Sequence, residues 1–225
     1  MSDEFVLADA LSLADLQVFL ARAGRVDDGS VRLVAARGVL AAYVAVLHPS
    51  GLLDRSPTVL GLRTFALAEA AALDAVVPVA ALAQRVARLQ SESVDATAPV
   101  RVSVPPAVFT AAWAAISPPR GGWQRVATTT CDVLEVVARA GIDEVAAAIP
   151  AGTGEQIVGR VRAEVWGRLI AGLESVPAGG AFAALSLGFL KADDAVDVVA
   201  TGPWTRLTTP RGHVLIKRAG GTLVG

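Results

Sequence analysis

Lysine, cysteine, histidine and charge in general are scarce in this chain. Its 225 residues include a single cysteine, Cys131, and two histidines, His48 and His213. One thiol excludes internal disulfides and a multi-thiolate metal site. No spacing of His, Asp and Glu suggests a metal, so no metal and no cofactor are expected. Only 18% of the residues are charged, against about a quarter in an ordinary soluble domain. The net charge of −1 argues against a global pull on nucleic acid or membrane, so nucleic acid is an unlikely partner on composition.

What is abundant is small and apolar. Alanine supplies 44 residues, hydrophobic types reach 53%, and the 20 basic residues divide into 18 Arg and two Lys, Lys191 and Lys217. That bias fits GC-rich coding and a bacterial source. The apolar content offsets the ordering entropy of most of the chain, which excludes widespread disorder.

Membrane spans are not expected. The longest uncharged stretch, Val102 to Pro119, is broken by Pro105 and Pro106 at one end and Pro118 and Pro119 at the other. About a dozen helical residues remain between them, roughly 18 Å against a hydrocarbon core of about 30 Å. Ser175 to Leu190 is interrupted by Pro177 and by Gly179-Gly180. The N-terminus is acidic where a signal peptide would be basic, and a cytoplasmic protein is the natural expectation.

The pattern of elements predicts an α+β fold, a mixed or antiparallel sheet built from N- and C-terminal hairpins and packed with about five to six helices. Leu13, Leu16, Leu20 and Ala23 lie on one helical face behind a Ser12–Asp15 capping box. Residues 31–37 and 39–48 read as strands meeting at Gly38, with a third strand over Val59–Leu67. Helices are predicted behind Pro78, over Ala107–Ile116, over Cys131–Ala140 with a stop at Gly141, over Glu155–Ile170 and over Ala181–Leu190. Strands follow near Val196–Thr201, Trp204–Thr208 and His213–Lys217. No internal repeat is visible. Residues 1–225 read as one domain, and the best place for an internal boundary is the small, polar, Pro-ended segment Ser91–Pro99.

Candidate sites are few. His48, Asp54 and Arg55, with Arg63 on the following strand, combine an acid/base pair with an anion clamp. The bland alternative has His48 closing a strand and Asp54 capping a turn. After Asp197 there is no acidic residue, while Trp204, Arg206, Arg211, His213 and Lys217 follow. That hairpin offers an aromatic plane beside guanidinium groups, or else docks Trp204 on the protein's own core. Cys131 behind Thr128–Thr130 sits where a helix dipole can activate a thiol, although free cysteines are usually buried core. The Gly152-Thr153-Gly154 turn matches no phosphate-loop spacing.

Three functions compete. The favoured one is a non-catalytic interaction or scaffold protein, self-associating as a homodimer through its apolar excess. The others are an enzyme for a small molecule or anion, using His48, Asp54, Arg55 and Arg63, and a nucleic-acid module using the C-terminal hairpin.

Overall fold

A computed structural model describes residues 4–26, 29–49, 54, 56–108, 111–150 and 152–218. The α+β expectation holds: five α-helices accompany an antiparallel sheet of eight strands and two small two-stranded sheets. The strands are β1 (Glu4–Leu7), β2 (Ser30–Ala36), β3 (Val39–Leu47), β4 (Thr58–Ala66), β5 (Leu73–Pro78), β6 (Val100–Ser103), β7 (Gln124–Thr130), β8 (Leu169–Ile170), β9 (Leu173–Pro177), β10 (Ala195–Thr201), β11 (Trp204–Thr209) and β12 (Gly212–Lys217). The helices are α1 (Ala10–Val26), α2 (Val79–Glu92), α3 (Cys131–Ala148), α4 (Glu155–Gly167) and α5 (Ala178–Ser186). The large sheet runs in the order β5-β2-β3-β4-β12-β11-β10-β7, while β1 pairs with β6 and β8 with β9.

The chain divides into two compact units, Met1–Ala45 with Leu62–Ser117, and Val46–Gly61 with Pro118–Gly225. The segment 91–99 lies inside the first unit, joining α2 to β6. The succession strand, helix, three strands occurs first in the first unit (β1-α1-β2-β3-β4) and last in the second (β9-α5-β10-β11-β12).

In the first unit, Gly38 turns β2 into β3 with φ +77°, a conformation that glycine adopts without strain. Alternation along β2 buries Val31, Leu33 and Ala35. α1 is capped by Asp9, whose carboxylate accepts from Ser12 N–H at 2.6 Å; the cap stands three residues before the predicted one because the helix begins at Ala10. Leu13, Leu16, Phe19 and Leu20 bury its inner face. The two helices run antiparallel. A Cβ on Gly24 would lie 3.7 Å from Val79 of α2, and at the other end Ala10 N–H donates to Ala96 O at 3.1 Å. The helix predicted over 107–116 is reduced to one 3₁₀ turn, Ala112–Ala115. Pro105 and Pro106 hold the chain extended before it, and Val108 N–H is spent on Val76 O of β5 at 2.7 Å.

In the second unit, α3 does not stop at Gly141 but continues to Ala148. Gly141 is helical and buried because the ring of Trp166 lies against it. A Cβ there would stand 2.4 Å from Trp166 Cζ3. Trp166 stacks on Phe182 of α5 with centroids 4.4 Å apart, and Val165, Trp166 and Ala178 form a cluster with Leu47, Val137, Val145 and Val161. α4 ends at Gly167, earlier than its periodicity predicts, since Leu169 and Ile170 pair with β9. α5 lies on the inner face of the sheet, where a Cβ on Gly180 would meet Ile216 at 2.7 Å. Gly141→Ala therefore overpacks this junction. It should lower unfolding stability by about 1–3 kcal/mol, and a two-state denaturant titration measures the loss.

Candidate functional site

Each described member of the cluster predicted around 48–63 makes a contact outside the predicted set. His48 Nδ1 lies 3.2 Å from the carbonyl of the adjacent Pro49. The Asp54 carboxylate accepts from Ser56 N–H at 2.8 Å, a local turn bond. Arg63 donates through Nε to Asp15 of α1 at 2.7 Å and forms an ion pair with it. Arg55 lies outside the described residues.

Cys131 is buried at the start of α3, and Thr130 caps that helix by accepting from Val133 N–H. Burial raises its thiol pKa, with Asp194 and Asp132 adding to the effect against a hydrogen bond from the Lys191 backbone. The helix dipole does not prevail, and the residue packs as core. Thr153 closes its own turn by donating through N and Oγ1 to Pro150 O. Among the described residues, no group of three or more His, Cys, Asp and Glu is placed to hold a metal. No helix among them is long and apolar enough to cross a membrane.

The C-terminal strands do gather a polar patch. Alternation along β11 turns Thr205, Leu207 and Thr209 inward and Trp204, Arg206 and Thr208 to the opposite face. Trp204 is itself buried, so its ring is not the aromatic plane on offer. That role falls to Trp123, which lies just before β7: the Arg206 guanidinium carbon sits 4.6 Å from the Trp123 ring centroid. Trp123 is fixed by donation from its indole N–H to Pro119 O at 3.2 Å. Burial depresses the Arg206 pKa, and its Nε is buried without a hydrogen-bond partner among the described residues. Across the strand pair, His213 Nδ1 contacts Thr208 Oγ1 at 3.2 Å. Arg211 N–H donates to Thr209 Oγ1 at 3.2 Å in the turn between β11 and β12. Trp123 was missing from the sequence reading because it lies eighty-three positions from Arg206 in the chain, and only strand pairing brings it there.

The first unit offers a second arrangement. Arg22 and Arg25 near the end of α1, and Arg85 and Arg88 on α2, lie on neighbouring antiparallel helices. Arg85 donates to Ser103 Oγ at 2.9 Å and Arg88 pairs with Glu92 at 3.0 Å. Arg22 and Arg25 make no hydrogen bond or ion pair among the described residues.

Burial lowers the pKa of His213 below its ordinary 6.5, and the nearby Arg206 charge adds to that shift. The unfolded chain then binds a proton that the folded one refuses, so stability rises with pH in that window. This contribution is complete above about 6.5, the unfolded value, and is lost as pH falls from there through the lower folded value. Imidazole resonances followed by NMR should show a depressed His213 midpoint that moves upward in Arg206→Gln.

Comparison with solved structures places the fold. The chain resembles the DNA polymerase III subunit β of Pseudomonas aeruginosa, with TM-score 0.51 and 15% identity over 98% of this chain and 66% of that one. It resembles the DNA polymerase sliding clamp of Caulobacter crescentus, with TM-score 0.50 and 13% identity over 99% and 67%. A sliding clamp of Bartonella birtlesii, solved bound to griselimycin, gives TM-score 0.53 and 14% identity over 98% and 66%. The chain thus spans about two thirds of the length of these proteins, slightly less for two of them. At such identities the fold is what is shared. It corrects the expectation of a scaffold protein of no assignable role, and composition alone no longer supports setting nucleic acid aside. No curated protein matches the sequence. Residues 118–221 match the domain of unknown function DUF8185, and this match meets the next at the same Ser117/Pro118 border that divides the two units. Residues 1–117, more than half of the chain, match the domain of unknown function DUF8010, and the chain belongs to that family.

Proposed function

We propose that the protein is a cytoplasmic, clamp-like component that associates with duplex DNA as a homodimer. One observation carries the reading: a sliding-clamp fold aligned over 98% of the chain at TM-score 0.53. The charge distribution supports the same reading. A clamp that slides must hold the duplex without reading it, through backbone phosphates alone. The antiparallel α1–α2 pair presents Arg22, Arg25, Arg85 and Arg88 with Glu92 as the carboxylate salt-bridged to one of them. So few cations give weak, sequence-independent contact, which suits motion along DNA better than a dense basic face would. Retention then rests on assembly rather than on affinity per contact.

The test is fluorescence anisotropy with mixed-sequence duplexes at several salt concentrations. With about three to four phosphates neutralised, log K should fall with log salt at a slope of roughly −3. Replacing Arg22 and Arg25 together by alanine should weaken binding several-fold at low salt and flatten that slope by about 2. Absence of duplex binding at low ionic strength, or binding indifferent to the double substitution, would overturn the reading. Sedimentation of the free protein at micromolar concentration checks the dimer.

A further inference from the structure

We propose that the outer face of the sheet in the second unit holds an oxyanion site centred on Arg206, shaped for a phosphoryl group. The face is defined by register. Arg206 of β11 stands opposite Val199 of β10 and Leu215 of β12, and Val199 in turn stands opposite Arg125 of β7. One row along, Thr208 stands opposite Asp197 and His213. Residues two apart on a strand share a face. Arg125, Asp197, Arg206, Thr208 and His213 therefore lie together, on the side away from α5.

The charges on that face do not cancel. Arg125 is neutralised by Asp197, with Nη2 donating at 2.9 Å. Arg206 has no carboxylate among the described residues, and its only described contact of a polar or aromatic kind is Trp123. Arg206 is partly buried with its Nε enclosed, and even partial desolvation of a guanidinium without a counter-charge is costly to the fold. Trp123 covers one face of the guanidinium and leaves its edge of N–H donors in a fixed orientation. The Nε is enclosed and has no acceptor among the described residues, so the Nη groups are the donors that a ligand would meet. The ring that fixes this orientation is itself fixed by Pro119 O and by the tight turn at Gly122, whose φ is +78°. An oxyanion seated against the Nη groups supplies the missing charge.

Phosphoryl chemistry follows from the neighbours. Thr208 and His213 already share one hydrogen bond, which leaves a hydroxyl and the second imidazole nitrogen as neutral groups beside the cation. A tetrahedral oxyanion has enough acceptor oxygens to use the guanidinium and the one proton that the Thr208–His213 pair leaves free. This site is separate from the α1–α2 arginines and does not rest on the DNA reading.

Titration of the whole chain with inorganic phosphate, followed through the His213 imidazole resonances and by calorimetry, tests the site. Saturable binding is expected. Arg206→Gln should weaken it at least about tenfold, as loss of a charge-assisted pair does. Arg206→Lys keeps the charge without the fork and should fall between, which preserves the test if the glutamine variant is unstable. The Arg22 and Arg25 double substitution should leave phosphate binding unchanged. A second arm uses a short duplex: if it moves the same resonances through Arg206, the phosphoryl group belongs to a DNA backbone, and if inorganic phosphate alone does so, to a small molecule. Either supports the site. His213 resonances unmoved by both probes, or binding retained in full by Arg206→Gln, would overturn it.

Discussion

Trp166 stands where three helices of the second unit meet. Its indole fits only because α3 presents a glycine, and its backbone fits against α5 because α5 presents another. On α3 the vacancy is Gly141, where any Cβ would collide with the ring at 2.4 Å. On α5 it is Gly179, whose Cβ would approach Trp166 Cβ to 3.3 Å and Leu47 Cδ1 to 2.5 Å. Phe182, one turn further along α5, stacks on the remaining ring face. With alanine filling much of the helices, a large area of apolar contact has to come from one large ring set into a gap. The same device recurs where Gly212 admits the ring of Phe189, to which a Cβ would be 2.6 Å. A core built this way is sensitive to single methyl groups at the glycines and tolerant of change at the exposed alanines.

That device also explains where the sequence was legible and where it was not. The hairpins β2–β3 and β10–β11–β12 were readable because alternation and turn glycines are local signals. Gly141 read as a helix stop for the same local reason, since glycine is poor in helix interiors. The partner that reverses the argument, Trp166, lies twenty-five residues away. β1, β5 and β7 were missed because they are short or rich in Thr and Ala, and their strand state is imposed by pairing with β6, β2 and β10. The shared strand-helix-three-strand succession left no repeat in the sequence. It is a likeness of topology, and the two copies use different side chains: Leu13, Leu16 and Phe19 bury α1, whereas alanine and glycine bury α5.

For the sites, residue types were legible and partners were not. Arg206 and His213 stood out by charge asymmetry, and the structure does bring them near each other. Arg63 stood out beside His48 and Asp54, but a two-oxygen acceptor on α1, Asp15, holds it instead.

The scarcity of lysine acquires a structural use beyond its coding origin. Arg32 donates through Nε and Nη2 to both carboxylate oxygens of Asp74, at 2.8 and 2.7 Å, while Nη1 reaches Ala114 O at 2.8 Å. One side chain thus ties β2 to β5 and to the 3₁₀ turn, a fork that a point ammonium cannot reproduce. Arg101 does the same between Glu4 and Glu69, and Arg168 between Glu144 and Glu164. Among the described residues, seven arginines are committed in this way to nearby carboxylates: Arg32, Arg63, Arg88, Arg101, Arg125, Arg139 and Arg168. Where charge is this sparse, the arginines left without a carboxylate mark the surfaces on which anions can be met.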